Sequence, residues 1–150
     1  MNGAATSFMA RALAEAEAAG ARGEVPVGAA IVREGAILAA FGNRTRELAD
    51  VTAHAEILAI RAAAASLGSE RLAECDLYVT LKPCTLCAAA ISFARIRRLY
   101  YGAGDPKGGG IEHGIRFFHS ATCHHAPEVY AGIGEAAAAA LLRGFFSARR

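Results

Sequence analysis

Residues 77–87 read Leu77-Tyr78-Val79-Thr80-Leu81-Lys82-Pro83-Cys84-Thr85-Leu86-Cys87. Leu77, Val79 and Leu81 alternate onto one side, which predicts a short strand. Pro83 then opens a helix from about Cys84 to Arg95, since proline at a helix start gives up no donor the helix needs. Ile96 to Tyr101 follows as another apolar strand segment. Towards the amino terminus, Val27–Arg33 and Ile37–Phe41 pair as a hairpin about a Glu34-Gly35 turn. Between hairpin and strand lie a polar loop, Gly42 to Asp50, and a helix from about His54 to Leu67. Ile57, Ile60 and Ala64 share one face of that helix, and Gly68-Ser69 ends it. A first helix is expected from a Thr6 or Ser7 cap to Ala21, stopped by Arg22-Gly23.

On the carboxyl side, Gly102 to Gly114 is a glycine-rich loop and Glu128 to Ile133 a short strand. Gly134 to Arg150 forms a terminal helix with Leu141, Leu142, Phe145 and Phe146 on its apolar face. Strands separated by helices predict an α/β fold, a three-layer α/β/α sandwich. Its central sheet is mixed and about five-stranded, because the hairpin is antiparallel.

The length of 150 residues fits one domain, 1–150, and no repeat divides it. Hydrophobic residues at 54% and charged residues at 20% exclude intrinsic disorder. No run of about 18 strongly apolar residues exists to span a membrane. Met1 to Ala21 carries Glu15 and Glu17 where a signal peptide needs an apolar core, so a cytoplasmic location is expected. Four cysteines in that setting point to metal or thiol chemistry, not to a disulfide frame. A net charge of +2 is too small to imply nucleic-acid binding by itself.

Two clusters carry chemistry: His54-Ala55-Glu56 and Pro83-Cys84-Thr85-Leu86-Cys87. Cys84 and Cys87 stand three apart at a helix start, so their sulfurs point the same way and can share a metal. Partial positive charge at the helix end favours both thiolates. His54, at the start of another helix, completes three ligands if the two helix ends meet. Zinc accepts this mixed set, and three ligands leave the fourth tetrahedral position to water. Glu56 lies about 200° round a helix from His54, if both are helical, so it stands near the water and not on the metal. There it can take a proton and return it to a leaving amine, as in hydrolysis at an amidine-like carbon. The competing reading is a closed structural zinc site with Cys123, His124 or His125 as fourth ligand, in a module that only binds RNA. That reading gives Glu56 no task. Cys75 reads as a small buried residue.

H-x-E followed by P-C-x-x-C is the known signature of zinc deaminases of nucleobases. The chain closely resembles the bacterial tRNA-specific adenosine deaminases of the cytidine deaminase-like superfamily over nearly its whole length. The likeness includes Glu24-Val25-Pro26-Val27-Gly28-Ala29, Gly42-Asn43-Arg44, Thr52-Ala53-His54-Ala55-Glu56-Ile57, 77–81, the cysteine motif, and Phe145-Phe146 before a basic end. The resemblance implies a cytidine deaminase-like fold and a homodimer that converts the wobble adenosine of a tRNA anticodon loop to inosine. It carries over His54, Cys84 and Cys87 as ligands of one Zn2+ and Glu56 as proton shuttle. It also implies that Asn43 holds the target nucleoside, that the Ala55 backbone N–H orients the base and that Val27 lines the pocket. Asp105 and Lys107 match a loop touching neighbouring nucleotides, and Phe146 a residue packing on a flanking base or sugar. Arg44, Arg46 and Arg98 are candidates to hold the RNA backbone, and Arg149 and Arg150 to meet phosphate.

One departure stands out: the family usually has Leu-Glu-Pro-Cys where this chain has Leu81-Lys82-Pro83-Cys84. A cation two residues from a zinc thiolate changes the field at the metal, and Lys82→Glu is expected to raise activity. Strand alternation leaves Lys82 opposite Leu81, where it also reads as a surface residue. The alternative activity on the same fold is deamination of a free nucleobase or nucleoside: guanine, cytosine or cytidine. Such an activity would be indifferent to salt and to competing tRNA.

Overall fold

In β1 (Gly28–Arg33), alternation sends Ala29 and Ile31 to one face of the sheet and Gly28, Ala30 and Val32 to the other. The computed structural model describes residues 3–104 and 116–149. β1 is joined by β2 (Ala36–Gly42), β3 (Cys75–Leu81), β4 (Arg98–Ala103) and β5 (Glu128–Tyr130) in the order β2-β1-β3-β4-β5. β1 runs antiparallel to β2 and β3, whereas β3, β4 and β5 are parallel. The sheet is therefore mixed and five-stranded, as expected.

On one face Ala29, Ile31, Leu77, Val79, Leu99 and Tyr101 form the main core. Ala55, Ala59 and Ala63 of α2 (Ala55–Leu67) and Ala88 and Ile91 of α3 (Thr85–Ala94) pack onto it. On the other face Val32 and Tyr78 meet Ala5, Met9 and Ala12 of α1 (Gly3–Ala21), with Ile133. α4 (Glu135–Ser147) lies on this second face beside α1, with Ala138 over Gly102. Two helices on each face complete the three-layer sandwich. α1 sits directly on the β1–β2 hairpin because Gly28 and Gly42, paired in register, have no side chain to hold it off.

Several boundaries differ from the sequence reading. Thr6 and Ser7 are inside α1, so neither caps it. β4 begins at Arg98 instead of Ile96, because Arg95 ends α3 in the left-handed conformation and Ile96 N still bonds back to Ile91 O. β5 stops at Tyr130, since Gly132 (φ 81°) and Gly134 (φ 71°) turn the chain towards α4. A 3-10 turn, Phe117–His119, packs near α3 and has no counterpart in the sequence reading. Arg98 is misplaced in the sequence reading. The parallel register puts it opposite Asp76 at the amino ends of β3 and β4, whereas Cys84 follows the carboxyl end of β3. It pairs there with Glu128 at 2.8 Å and Asp76 at 3.8 Å, at the far end of the sheet from His54, Cys84 and Cys87.

Candidate active site

The two functional clusters meet where α2 and α3 begin. His54 and Cys84 are the N-cap residues of these helices, both with extended backbone. Each cap carbonyl accepts the first helical hydrogen bond, from Leu58 N at 3.0 Å and from Ala88 N at 2.8 Å. His54 is thus not itself helical, and the 200° offset to Glu56 expected for a shared helix does not apply. The segment before it is held locally. Asp50 Oδ1 accepts from Thr52 N at 2.9 Å and Thr52 Oγ1 at 2.7 Å, and His54 N donates to Thr52 O at 2.8 Å. This Asx turn fixes the ring's approach, and Asp50-Val51-Thr52 is a spacing from which it is readable in sequence.

His54 Nδ1 lies 3.3 Å from Cys87 Sγ and 3.6 Å from Cys84 Sγ. Among the described residues, His54, Cys84 and Cys87 are the one group that can hold a metal ion, all three ligand atoms lying within 4.8 Å of one another. A tetrahedral zinc with ordinary Zn–S and Zn–N lengths needs an N···S spacing of about 3.6 Å, so the donors fit this ion. Cys123 and His125 do not join them. Cys123 Sγ and Ser92 Oγ both donate to His125 O, and His125 Nε2 meets Ile96 O at 2.8 Å, beside the far end of α3. These bonds fasten the 120–125 segment to α3. Cys75 is fully buried in the core.

Helix N-termini converge on the group, and their partial positive charge favours anions. The hydrogen bond from Cys87 holds the Cys84 thiol down to about 4, against the effect of burial. Cys87 is pushed upward by that same bond and then by burial. The Cys84 contact raises His54, against burial. Burial pushes the Glu56 carboxyl up to about 7, against a hydrogen bond with its own backbone. Only 4% exposed, Glu56 hydrogen-bonds with the Cys87 side chain, which sets it against the metal-capable group without belonging to it. A carboxyl that titrates near neutrality can both accept and deliver a proton.

Of the groups expected to bind substrate, Asn43 and Ala55 are bonded to each other: Ala55 N donates to Asn43 Oδ1 at 2.9 Å. Oδ1 is therefore engaged, and Nδ2 has no partner among the described residues. Val27 is buried and its carbonyl accepts from Asn43 N at 3.1 Å. Phe146 is 49% exposed while Phe145 is buried, so the terminal aromatic pair splits between surface and interior. Arg149 stacks on Phe145 at 3.5 Å. Arg44 pairs with Glu47 at 2.7 Å, and Arg46 reaches Gly23 O at 3.4 Å. Asp105, Lys107 and Arg150 lie outside the described residues. Lys82 is not a surface residue but 3% exposed, its Nζ 5.8 Å from the centre of the Tyr101 ring and its stem beside Gly104. Its N–H donates to Ala103 O at 2.8 Å, which continues the β3–β4 ladder and turns the side chain inward.

The family model described as the cytidine and deoxycytidylate deaminase zinc-binding region matches residues 3–103. With the geometry above, this defines the class: a zinc-dependent hydrolytic deaminase, with one Zn2+ as cofactor. The chain is 64% identical over 145 residues to the tRNA-specific adenosine deaminase of Agrobacterium fabrum, covering 97% of this chain and 95% of that protein. A structure solved in a study of A-to-I editing by tRNA:A34 deaminases superposes with a TM-score of 0.90 at 65% identity, covering 91% of this chain and 99% of that one. A guanine deaminase from Bacillus subtilis is more distant, with a TM-score of 0.65 and 40% identity over 69% of this chain and 66% of its own. The chain belongs to the family of tRNA-specific adenosine deaminases.

Proposed function

We propose that this chain hydrolyses the amino group from the wobble adenosine of a tRNA anticodon loop, giving inosine and ammonia. One observation supports the substrate above all: 64% identity to a tRNA-specific adenosine deaminase along nearly the full length of both chains. His54 Nδ1 and the sulfurs of Cys84 and Cys87 would hold the zinc. When bound, zinc supplies the Lewis acidity that makes water a nucleophile at neutral pH. Glu56 takes a proton from the attacking water as its oxygen joins C6, then delivers one to the departing amine, and ammonia leaves. Asn43 holds the nucleoside with its amide, the Ala55 N–H orients the base through its bond to Asn43 Oδ1, and Val27 lines the pocket. Asp105 and Lys107 meet the neighbouring nucleotides, and the exposed ring of Phe146 packs on a flanking base or sugar. An anticodon loop is already single-stranded, so turning out one base costs less than it would from a duplex. The chain works as one deaminase domain, 1–150, in a homodimer in the cytoplasm. No described helix is long and apolar enough to cross a membrane.

The test is to incubate the zinc-loaded protein with an anticodon stem-loop bearing a wobble adenosine and to measure inosine by nucleoside mass analysis. Glu56→Ala is the blank, and guanine, cytosine and cytidine are the controls. Inosine that vanishes in the blank supports the reading. Turnover of a free base, unaffected by salt or added tRNA, overturns it.

A further inference from the structure

Glu24 has no part in the chemistry above, yet its side chain is only 2% exposed. A buried carboxylate needs strong partners to replace water, and here they are two consecutive backbone N–H groups. Arg46 N donates to Oε1 at 3.1 Å and Glu47 N to Oε2 at 2.8 Å. These donors sit within the tight turns of 44–50, where Leu48 N bonds to Arg44 O, Ala49 N to Arg46 O and Asp50 N to Thr45 O. The carboxylate caps these turns much as an acidic side chain caps a helix. Two cross-ties flank it: Arg22 Nη2 donates to Asn43 O at 3.2 Å and Arg46 Nη1 to Gly23 O at 3.4 Å.

The capped segment runs between two functional ends. Asn43 at one end bonds the Ala55 N–H, and His54 at the other belongs to the metal-capable group. Within it Ala49 has φ 50°, a left-handed conformation that a non-glycine residue keeps only where its surroundings dictate it. No other described side chain accepts from the N–H groups of Arg46 and Glu47. We propose that Glu24 is a positioning residue for the reaction: its carboxylate sets the 43–54 loop, and through it the placement of Asn43 against Ala55. This rests on the reading of Asn43 as the residue that holds the nucleoside.

Glu24→Gln keeps the shape but turns an amide donor towards a backbone donor. Amide hydrogen exchange is the readout that does not depend on turnover. The amides of Arg46, Glu47 and Ala55 should exchange at least tenfold faster, with those inside α2 and β3 unchanged and zinc content retained. Unchanged protection at these three overturns the proposal. With the stem-loop substrate, Glu24→Gln and Asn43→Ala should each lower kcat/KM by about 10- to 100-fold. The double variant should fall no further than the worse single one. Losses that multiply, or an Asn43→Ala variant as active as the parent, overturn it. Glu24→Asp keeps both oxygens on a shorter arm and should show the same pattern to a smaller degree. If the parent protein makes no inosine, the functional reading fails and the exchange data alone decide whether Glu24 sets the loop.

Discussion

Replacing Gly28 by alanine tests the seat of α1 with a single carbon. A Cβ at this position would run into Ala12 O and lie 2.6 Å from Ala16 N and 3.0 Å from Ala12 C, all backbone atoms of α1. Carbon contacts settle at about 3.5–4.0 Å, so the helix must rise by at least about 1 Å. Ala5, Met9, Ala12, Ala16 and Ala19 are all buried along its lower face. A gap of that size forfeits roughly a quarter to a half of their dispersion contacts. Overpacking by one carbon costs about 1–3 kcal/mol, and a backbone that cannot swing aside puts Gly28→Ala near about 3 kcal/mol. For a chain of this size that lowers the melting temperature by roughly 6–12 °C. Thermal unfolding followed by far-UV circular dichroism, at equal zinc content, reads the change. Gly144→Ala in α4 is the control: apart from its own helix backbone and chain neighbours nothing lies within 4 Å of its Cβ, so it should gain up to about 1 kcal/mol from helix propensity. A Gly28→Ala protein that melts within about 2 °C of the parent refutes the close seating, since overpacking of this kind costs more.

Three further outcomes follow from the site. Glu56→Gln keeps the side chain's size but not its proton traffic, and should lower kcat by about 10²- to 10⁴-fold while zinc content by elemental analysis stays at one per chain. Cobalt(II) exchanged for the zinc should give intense thiolate-to-metal absorption with one cobalt per chain, and Cys87→Ala should weaken that band; its persistence would remove Cys87 from the ligand set. Phe146→Ala removes a ring that is half in solvent and packed edge-on against Phe145, so stability should fall by only about 1 kcal/mol. KM for the stem-loop should nevertheless rise, and an unchanged KM denies Phe146 its contact with RNA.

The parts legible in the sequence were those written at short range. Strand alternation revealed both faces of β3, and the spacing of Cys84 and Cys87 foretold sulfurs close enough together to hold a metal. The H-x-E cluster pointed to the histidine that joins the two cysteines and to the buried acid beside that group. What escaped depends on chain segments far apart. Lys82 follows a strand in which alternation suggests exposure, yet its N–H bonds to Ala103 O where β4 ends, and its side chain is buried beside Tyr101 and Gly104. Arg98 was drawn to the site by its charge, but parallel register fixes it at the opposite end of the sheet. Cys123 and His125 offered ligand chemistry, and only the packing against Ser92 and Ile96 shows that they act as a clasp. No local pattern marks Glu24 as a cap, because its partners lie 22 and 23 residues away.

The three metal-capable side chains are unequally local, and that bears on the order in which the protein assembles. Cys84 and Cys87 occupy a single turn and can capture a metal before any sheet exists. His54 is 30 residues from Cys84, and closing such a loop in an open chain costs about 3 kcal/mol from its length alone. Zinc offered to the unfolded chain therefore rewards the cysteine turn without selecting the native topology. The imidazole arrives only once α2 and α3 have docked on the same face of the sheet. Metal affinity gained in that last step measures how completely the chain has folded, and loss of His54 should separate early metal capture from native assembly.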